Sequence, residues 1–243
     1  MNKTVMITGA SGGIGSALAR RFASEGWNCI LLYHKSAGKM TDLKDELITR
    51  YRVTPRVECV DVSDGPSVSA LFDKLKSDGV HIDLLINNAG ISYVGLLQDM
   101  SDEDWKKVID TNLSSAFYTS RGVLPSMIAS GRGSIINISS VWGNTGASTE
   151  VAYSASKGGL QAFTKALARE VAPSGISVNA IACGYIDTEM NAHLSDEEKK
   201  DLFEEIPAGR PGTPDEVADT VYLLSQATSY LTGQIITLDG GWT

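Results

Sequence analysis

The sequence predicts an α/β fold: one doubly wound, parallel, seven-stranded sheet in a single domain spanning 1–243. Three observations lead there. Short apolar runs alternate with longer amphipathic ones along the chain. A glycine-rich turn, Thr8–Gly15, joins the first strand-like run to the first helix-like one. No low-complexity linker, internal repeat or composition break divides the 243 residues. Such an alternation calls for right-handed crossovers, which set parallel strands side by side with helices on both faces.

The elements follow in order. Thr4–Ile7 reads as a buried strand and Ile14–Ser24 as the helix entered from the glycine turn. Cys29–Leu32, Arg56–Val60 and Asp83–Ile86 are the next strands, separated by helices over Gly38–Tyr51 and Ser67–Ser77. Asp102–Ala129 reads as one long helix, followed by the strand Ser134–Ile138 and the helix Val151–Val171. Ser177–Ile181 and Gln234–Leu238 complete the strands, with a helix over Pro214–Ser225 before the last. Gly, Asn, Asp or Ser bound each apolar run, as turn chemistry requires. Asp187–Gly212 departs from the alternation: it is charged over 196–200, helical, and interrupted by Pro207 and Pro211. Placed after a strand's carboxyl end, it is expected to form a lid over a ligand crevice.

Composition narrows the class. At 243 residues a single domain can bury roughly 70–75% of its unfolded surface, and 42% hydrophobic with 21% charged residues is the balance of a soluble globule. A net charge of −8 argues against a nucleic-acid surface. Cys29, Cys59 and Cys183 have no metal or redox spacing, so reduced thiols in a cytoplasmic protein and no bound metal are expected. The chain runs from Met1-Asn2-Lys3 straight into an apolar strand with no signal-peptide core, and no run approaches the roughly 18–20 apolar residues of a membrane span.

Two features carry chemistry. Glycines in Thr8–Gly15 let the backbone turn tightly and approach a pyrophosphate, whose charge is favoured at a helix N-terminus. Tyr153 and Lys157 lie four residues apart, one turn from each other on one helix face. A phenol with a pKa of about 10 is a poor acid at neutral pH, and a neighbouring ammonium lowers that value toward a useful range. Either feature alone is weak, since many βα turns are glycine-rich and many surface helices carry a solvated Tyr–Lys pair. Together with the Ser139-Ser140 pair ending a strand-like run, they are hard to assign to chance.

The spacing Gly9-x-x-x-Gly13-x-Gly15, with Asp61-Val62, Asn87-Asn88-Ala89-Gly90, Asn112, Ser140, Tyr153-x-x-x-Lys157, Gly184 and Asp239-Gly240-Gly241, resembles the short-chain dehydrogenases/reductases over essentially the whole chain. The resemblance implies a Rossmann-type fold and a catalytic set of Asn112, Ser140, Tyr153 and Lys157. Tyr153 would donate a proton to the substrate oxygen and Ser140 would hydrogen-bond it. Lys157 would lower the Tyr153 pKa and hold the nicotinamide ribose, and Asn112 would position a water leading to Lys157. Ser139 competes for the serine role, but the twelve residues between Ser140 and Tyr153 suit the family spacing better. Gly9, Ser11, Gly13, Ile14 and Gly15 would line the pyrophosphate, Asp61 and Val62 the adenine, and Asn88, Ala89 and Gly90 the cofactor's flank. Gly184, Ile186 and Thr188 would lie at the nicotinamide end. Cys183 replaces the family's usual proline, and its bland reading is a small apolar filler. The histidines His34, His81 and His193 show no pairing that would make it a catalytic thiol.

Strand two ends in Tyr33-His34-Lys35-Ser36 with no carboxylate to hold a ribose 2′-hydroxyl. Lys35, assisted by His34 or Ser36, favours the 2′-phosphate of NADP, although Gly12 stands where many NADP-preferring relatives are basic. The resemblance reaches furthest toward 3-oxoacyl-acyl-carrier-protein reductases, which implies a ketone, small or tethered to a carrier, as substrate. Gly131 and Ser174 stand where such reductases carry arginine for docking, leaving Arg132, Lys165 and Arg169 as candidate substitutes. The stretch 141–151 is more similar to a subgroup that reduces 5-aminopentanone on a lysine of elongation factor P, and both substrates stay open. Glu150, three residues before Tyr153, would repel an acidic carrier and attract an amine, or would simply favour a helix N-terminus. A cofactor-binding scaffold without turnover is the contrasting class, and the intact catalytic set argues against it. Relatives pair their two long helices and their C-termini into a tetramer, which would partly cover Trp242.

Overall fold

The computed structural model describes residues 2–191 and 195–243. Among these, seven parallel strands form one sheet in the order β3-β2-β1-β4-β5-β6-β7. They are β1 Thr4–Ile7, β2 Asn28–Tyr33, β3 Arg56–Cys59, β4 Leu84–Asn87, β5 Gly133–Ser140, β6 Ile176–Cys183 and β7 Ile235–Leu238. The expected doubly wound sheet is present. The order reverses between β1 and β4, and the crevice beyond the carboxyl ends at that point is where such sheets place ligands.

The sheet is buried on both faces, as parallel sheets require. Val5 and Ile7 of β1 pack into a layer with Leu18 and Phe22 of α1 (Gly13–Ser24) and with Val217 and Val221 of α9 (Pro214–Ser225). Met6, between them, points into the opposite layer with Leu71 and Leu75 of α3 (Gly65–Ser77), Val123 and Met127 of α5 (Ser115–Ser130), and Leu167 of α7 (Val151–Val171). The helix α2 (Ala37–Tyr51) adds Met40, Leu43 and Leu47 to the first layer. Local signals set the helix ends. Asp64 caps α3 by accepting from the Ser67 N–H at 3.0 Å, and Thr213 with Glu216 forms a reciprocal box at the start of α9.

Two departures from expectation matter for the site. The helix expected over Asp102–Ala129 is continuous but not regular: α4 (Asp102–Ile109) passes through one wider π-type turn over Asp110–Ser114 into α5. That turn carries Asn112, whose amide bridges out of the helix to both backbone groups of Ile91, at 2.8 and 2.9 Å. Turns of this kind recur at functional sites. A short helix not expected from sequence, α6 (Trp142–Thr145), follows β5 directly.

The excursion at 187–212 closes at its base, where the Asp187 N–H donates to the Gly212 carbonyl and the Gly212 N–H to the Tyr185 carbonyl, each at 2.9 Å. Its helix, α8 (Asp196–Glu205), starts at a Ser195–Glu198 capping box and stops before Pro207. Phe203 packs on Tyr185. His193 lies outside the described residues.

Candidate active site

Most of the sequence-predicted site residues lie at or just beyond the carboxyl ends of strands, and Asn112, Tyr153 and Lys157 come from helices. After β1 the chain turns through Gly9 at φ +64°, a conformation glycine adopts without steric cost. The turn is close-packed: a methyl at Gly15 would lie 2.2 Å from the Gly9 carbonyl, and one at Gly13 would lie 3.0 Å from the Thr188 methyl. At the start of α1 the first turn holds no acid, and Gly12 supplies no side-chain cap, unlike the N-caps of α3, α4 and α9. Uncapped first-turn N–H groups beside a glycine turn fit a pyrophosphate. A groove of about 450 Å³ opens there, lined by Ser11, Gly13, Lys39, Thr188 and Glu189 among others.

The remaining predicted contacts divide into two kinds. His34 and Lys35 are exposed and Ser36 half-buried beyond β2, with Asp61 across from them, 3.6 Å from His34. Burial pushes the Asp61 carboxyl up, but hydrogen bonds from Ser63 and the charges of His34 and Lys35 more than offset it and leave it lowered. Other predicted residues have a packing role as well. The Val62 and Ile186 side chains are buried in the two core layers, and Ile14 packs against one of them. Asn88 ties β4 to the glycine turn through Thr8 and Gly9, at 2.9 and 3.2 Å, and the Ala89 N–H donates to the Thr8 hydroxyl. A methyl at Gly184 would lie 2.7 Å from Asp239 Cβ, so glycine lets the chain end approach β6.

Tyr153 and Lys157 lie one turn apart near the start of α7. Lys157 is buried, 4% exposed, and its Nζ donates to the Ile138 carbonyl at 2.8 Å and sits 5.6 Å from the Tyr153 ring centre. Ser140, the last residue of β5, accepts from the Trp142 N–H at 3.2 Å, and its hydroxyl draws the Tyr153 phenol's pKa down. Ser139 faces the other way, as the pleat dictates, and its hydroxyl donates to the Lys157 carbonyl at 3.2 Å. Asn112 donates to Ser156 at 3.0 Å, and a methyl on Gly90 would lie 3.3 Å from Asn112 Oδ1 and 3.5 Å from Lys157 Nζ. Glycine at 90 therefore opens the space that these two groups border.

The electrostatics differ from the sequence expectation in one respect. Lys157 does not lower the Tyr153 pKa here. Burial raises it, neighbouring Cys183 and the Glu150 carboxylate add to the rise, and only Ser140 pulls it back. Lys157 is itself desolvated, which lowers its own pKa to about 8 against the opposing influence of Cys183. Burial penalises both charged forms. Burial pushes the Cys183 thiol up to about 12, so it stays protonated, as a filler would.

Several neighbours were not legible in the sequence. Lys39 reaches across the groove to Glu189, with 2.6 Å between Nζ and Oε2. Ser92 donates to Glu150 at 2.7 Å. Glu150 immediately precedes α7 but makes no side-chain cap there; its carboxylate is taken by Ser92 instead. Trp242 packs edge-on against Trp142, with ring centres 4.9 Å apart, so this chain itself provides cover for it. Among the described residues no cluster of three or more His, Cys, Asp or Glu is placed to hold a metal ion. Nor is any helix there long and apolar enough to cross a membrane.

A parallel sheet with a glycine turn at its switch point and a Tyr–Lys–Ser cluster on the same edge defines a nicotinamide-dependent oxidoreductase. The chain belongs to the short-chain dehydrogenase/reductase family: a family model described as "Enoyl-(Acyl carrier protein) reductase" matches residues 9–243. It is 42% identical to the Bacillus subtilis protein named "Uncharacterized oxidoreductase YmfI", covering 100% of this chain and 99% of the relative. It is 41% identical to the 3-oxoacyl-[acyl-carrier-protein] reductase FabG of Chlamydia muridarum (99% and 97% covered). With the Escherichia coli FabG it shares 38% (98% and 96% covered). A solved structure from Agrobacterium tumefaciens, provisionally named a gluconate dehydrogenase, superposes with a TM-score of 0.94 at 34% identity, covering 99% of this chain and 95% of that one.

Proposed function

We propose that this protein reduces a ketone to a secondary alcohol with NADPH, in the manner of the 3-oxoacyl-carrier-protein reductases it resembles. The observation that carries the proposal is the convergence of three groups: Lys157 Nζ lies 5.6 Å from the Tyr153 ring centre, and Ser140 acts on the same phenol. When bound, the reduced nicotinamide supplies the hydride. Tyr153 and Ser140 hydrogen-bond the ketone oxygen, and Tyr153 gives it a proton as negative charge develops there. Lys157 holds the nicotinamide ribose and keeps a positive charge beneath the phenol, while Asn112 orders the backbone that borders Lys157. Ser11, Gly13, Ile14 and Gly15 take the pyrophosphate, Asp61 and Val62 the adenine, and Ile186 and Thr188 the nicotinamide end. The 187–212 excursion closes over the substrate as a lid. The protein works in the cytoplasm, where NADPH is available. Following NADPH absorbance with a small β-ketoester tests the proposal, which fails if no enzyme-dependent oxidation is seen with that substrate or with an amine-bearing ketone.

The choice of NADPH over NADH rests on Lys35, with His34 or Ser36 assisting and no carboxylate on β2 to oppose a 2′-phosphate. Lys35→Asp should reduce the NADPH:NADH ratio of kcat/KM by about tenfold or more, equivalent to about 1.4 kcal/mol. Equal kcat/KM for the two cofactors in the unmodified protein would show that β2 does not select.

A second substrate reading is favoured by Glu150. Its carboxylate is held by Ser92 on the site side of α7 and acts on Tyr153. A carboxylate there favours a ketone carrying an amine, such as 5-aminopentanone on elongation factor P, and disfavours an acidic carrier. Gly131 and Ser174, the docking positions without arginine, flank the starts of β5 and β6, and Arg132 is next to them. That end is roughly 23 Å from Ser140 at about 3.3 Å per residue. A carrier docked there would serve the site of a neighbouring copy, in keeping with the family's tetramer. Glu150→Gln should raise KM for an amine-bearing ketone and leave a neutral β-ketoester unchanged; equal responses would remove Glu150 from specificity. Light scattering at micromolar concentration should give four times 25.9 kDa, and a monomer alone would exclude the tetramer.

A further inference from the structure

β5 overhangs its neighbour. Its ladder with β4 ends at Asn137 opposite Asn87, whereas its ladder with β6 continues to Ser140 opposite Cys183. Ile138, Ser139 and Ser140 therefore project past β4 into the site. Backbone groups two residues apart point to the same strand edge. The Val141 N–H donates to Cys183 on β6, so the carbonyls of Ile138 and Ser140 face the side where β4 has ended. Buried carbonyls need partners, and α7 supplies them. Lys157 Nζ donates to the Ile138 carbonyl at 2.8 Å, and Gln161 Nε2 donates to the Ser140 carbonyl at 3.1 Å. Between them, the Ser139 hydroxyl donates to the Lys157 carbonyl at 3.2 Å and lies 3.3 Å from Gln161 Nε2.

Gln161 is 7% exposed and lies one turn beyond Lys157 on the face of α7 that carries Tyr153. Its amide is held tightly, since a methyl on Gly143 would come within 2.6 Å of Nε2. We propose that Gln161 is a positioning residue for the reduction: it replaces the missing β4 ladder at Ser140 and fixes the Ser140 hydroxyl against Tyr153. The inference rests on the proposed catalytic role of Ser140.

A double-mutant cycle with a small β-ketoester and NADPH separates the two claims. Gln161→Leu should lower kcat by about tenfold or more, because a misplaced catalytic group is costly. NADPH affinity, read by fluorescence titration, should stay within about twofold, because Gln161 bonds Ser139 and the Ser140 carbonyl but not the Lys157 ammonium. In a Ser140→Ala background the same substitution should cost less than about twofold, since residues acting as a unit are not additive. The isosteric Gln161→Glu, which removes the donors, should behave like Gln161→Leu. An equal loss from Gln161→Leu in both backgrounds, or no loss in either, overturns the positioning role while leaving Ser140 in place. Full activity of Ser140→Ala overturns the catalytic reading itself. Failure of both Gln161 variants to fold, judged by loss of a cooperative melt, assigns Gln161 to stability alone and also overturns the proposal.

Discussion

Replacing Tyr153 with phenylalanine is expected to lower kcat for ketone reduction by about 10²–10⁴-fold, or about 3–5 kcal/mol in the barrier. The ring that packs beside Lys157 is kept and only the hydroxyl on which Ser140 acts is lost. NADPH binding should therefore survive, and retention of most of the reducing rate would remove Tyr153 from the chemistry. The unmodified protein should show a related pH effect. Lys157 gives up its proton near pH 8 in the folded state but has an ordinary value of 10.5 when unfolded. The buried ammonium opposes folding below pH 8, and the penalty fades as pH rises from about 8 to 10.5, because the unfolded chain then binds more protons. Activity should move in the opposite direction, falling as pH rises through about 8 and the charge beneath the phenol is lost. A reduction rate flat between pH 7 and 9.5 would mean that the Lys157 charge does not support turnover.

Gly15→Ala is expected to have the largest effect outside the catalytic cluster. The added methyl would lie 2.2 Å from the Gly9 carbonyl, 2.8 Å from Ala10 Cα and 2.9 Å from Asn88 Nδ2. The Gly9 carbonyl cannot move freely, because it accepts from Gly12 at 3.1 Å and from Asn88 at 3.2 Å. Overpacking of this kind costs about 2–3 kcal/mol, which lowers Tm by roughly 4–12 °C in a domain of this size. The turn that meets the pyrophosphate is displaced at the same time, so NADPH affinity should fall more than tenfold. Gly12→Ala is the control: its methyl would be in ordinary contact, 3.5 Å from the Gly9 carbonyl, and should leave Tm nearly unchanged. A Gly15→Ala protein that melts with the parent would contradict the packing of the turn.

The alternation of apolar runs was enough to place every strand of the sheet within about three residues at each end. A buried parallel strand must be apolar on both faces and stop at a turn residue, so β1 could be bounded correctly from local pattern, and helical periodicity did the same for α7. The same holds for the glycine turn, whose backbone requirement is written in residue type, and for Tyr153 and Lys157, because helix periodicity fixes which residues share a face. Other features depend on groups far apart in the chain. The wider turn at Asp110–Ser114 holds Asn112 where it bonds Ile91, 21 residues away. Lys39 meets Glu189 across 150 residues, and Ser92 meets Glu150 across 58. The direction of the Tyr153 shift also escaped local reasoning. Spacing shows that a lysine is near, but only burial decides whether its charge or the loss of water dominates. The sequence by itself determined the order of elements, the cofactor turn and the reacting pair. Tertiary structure decided which neighbours surround that pair, because desolvation and long-range hydrogen bonds exist only once the sheet has brought distant strand ends together.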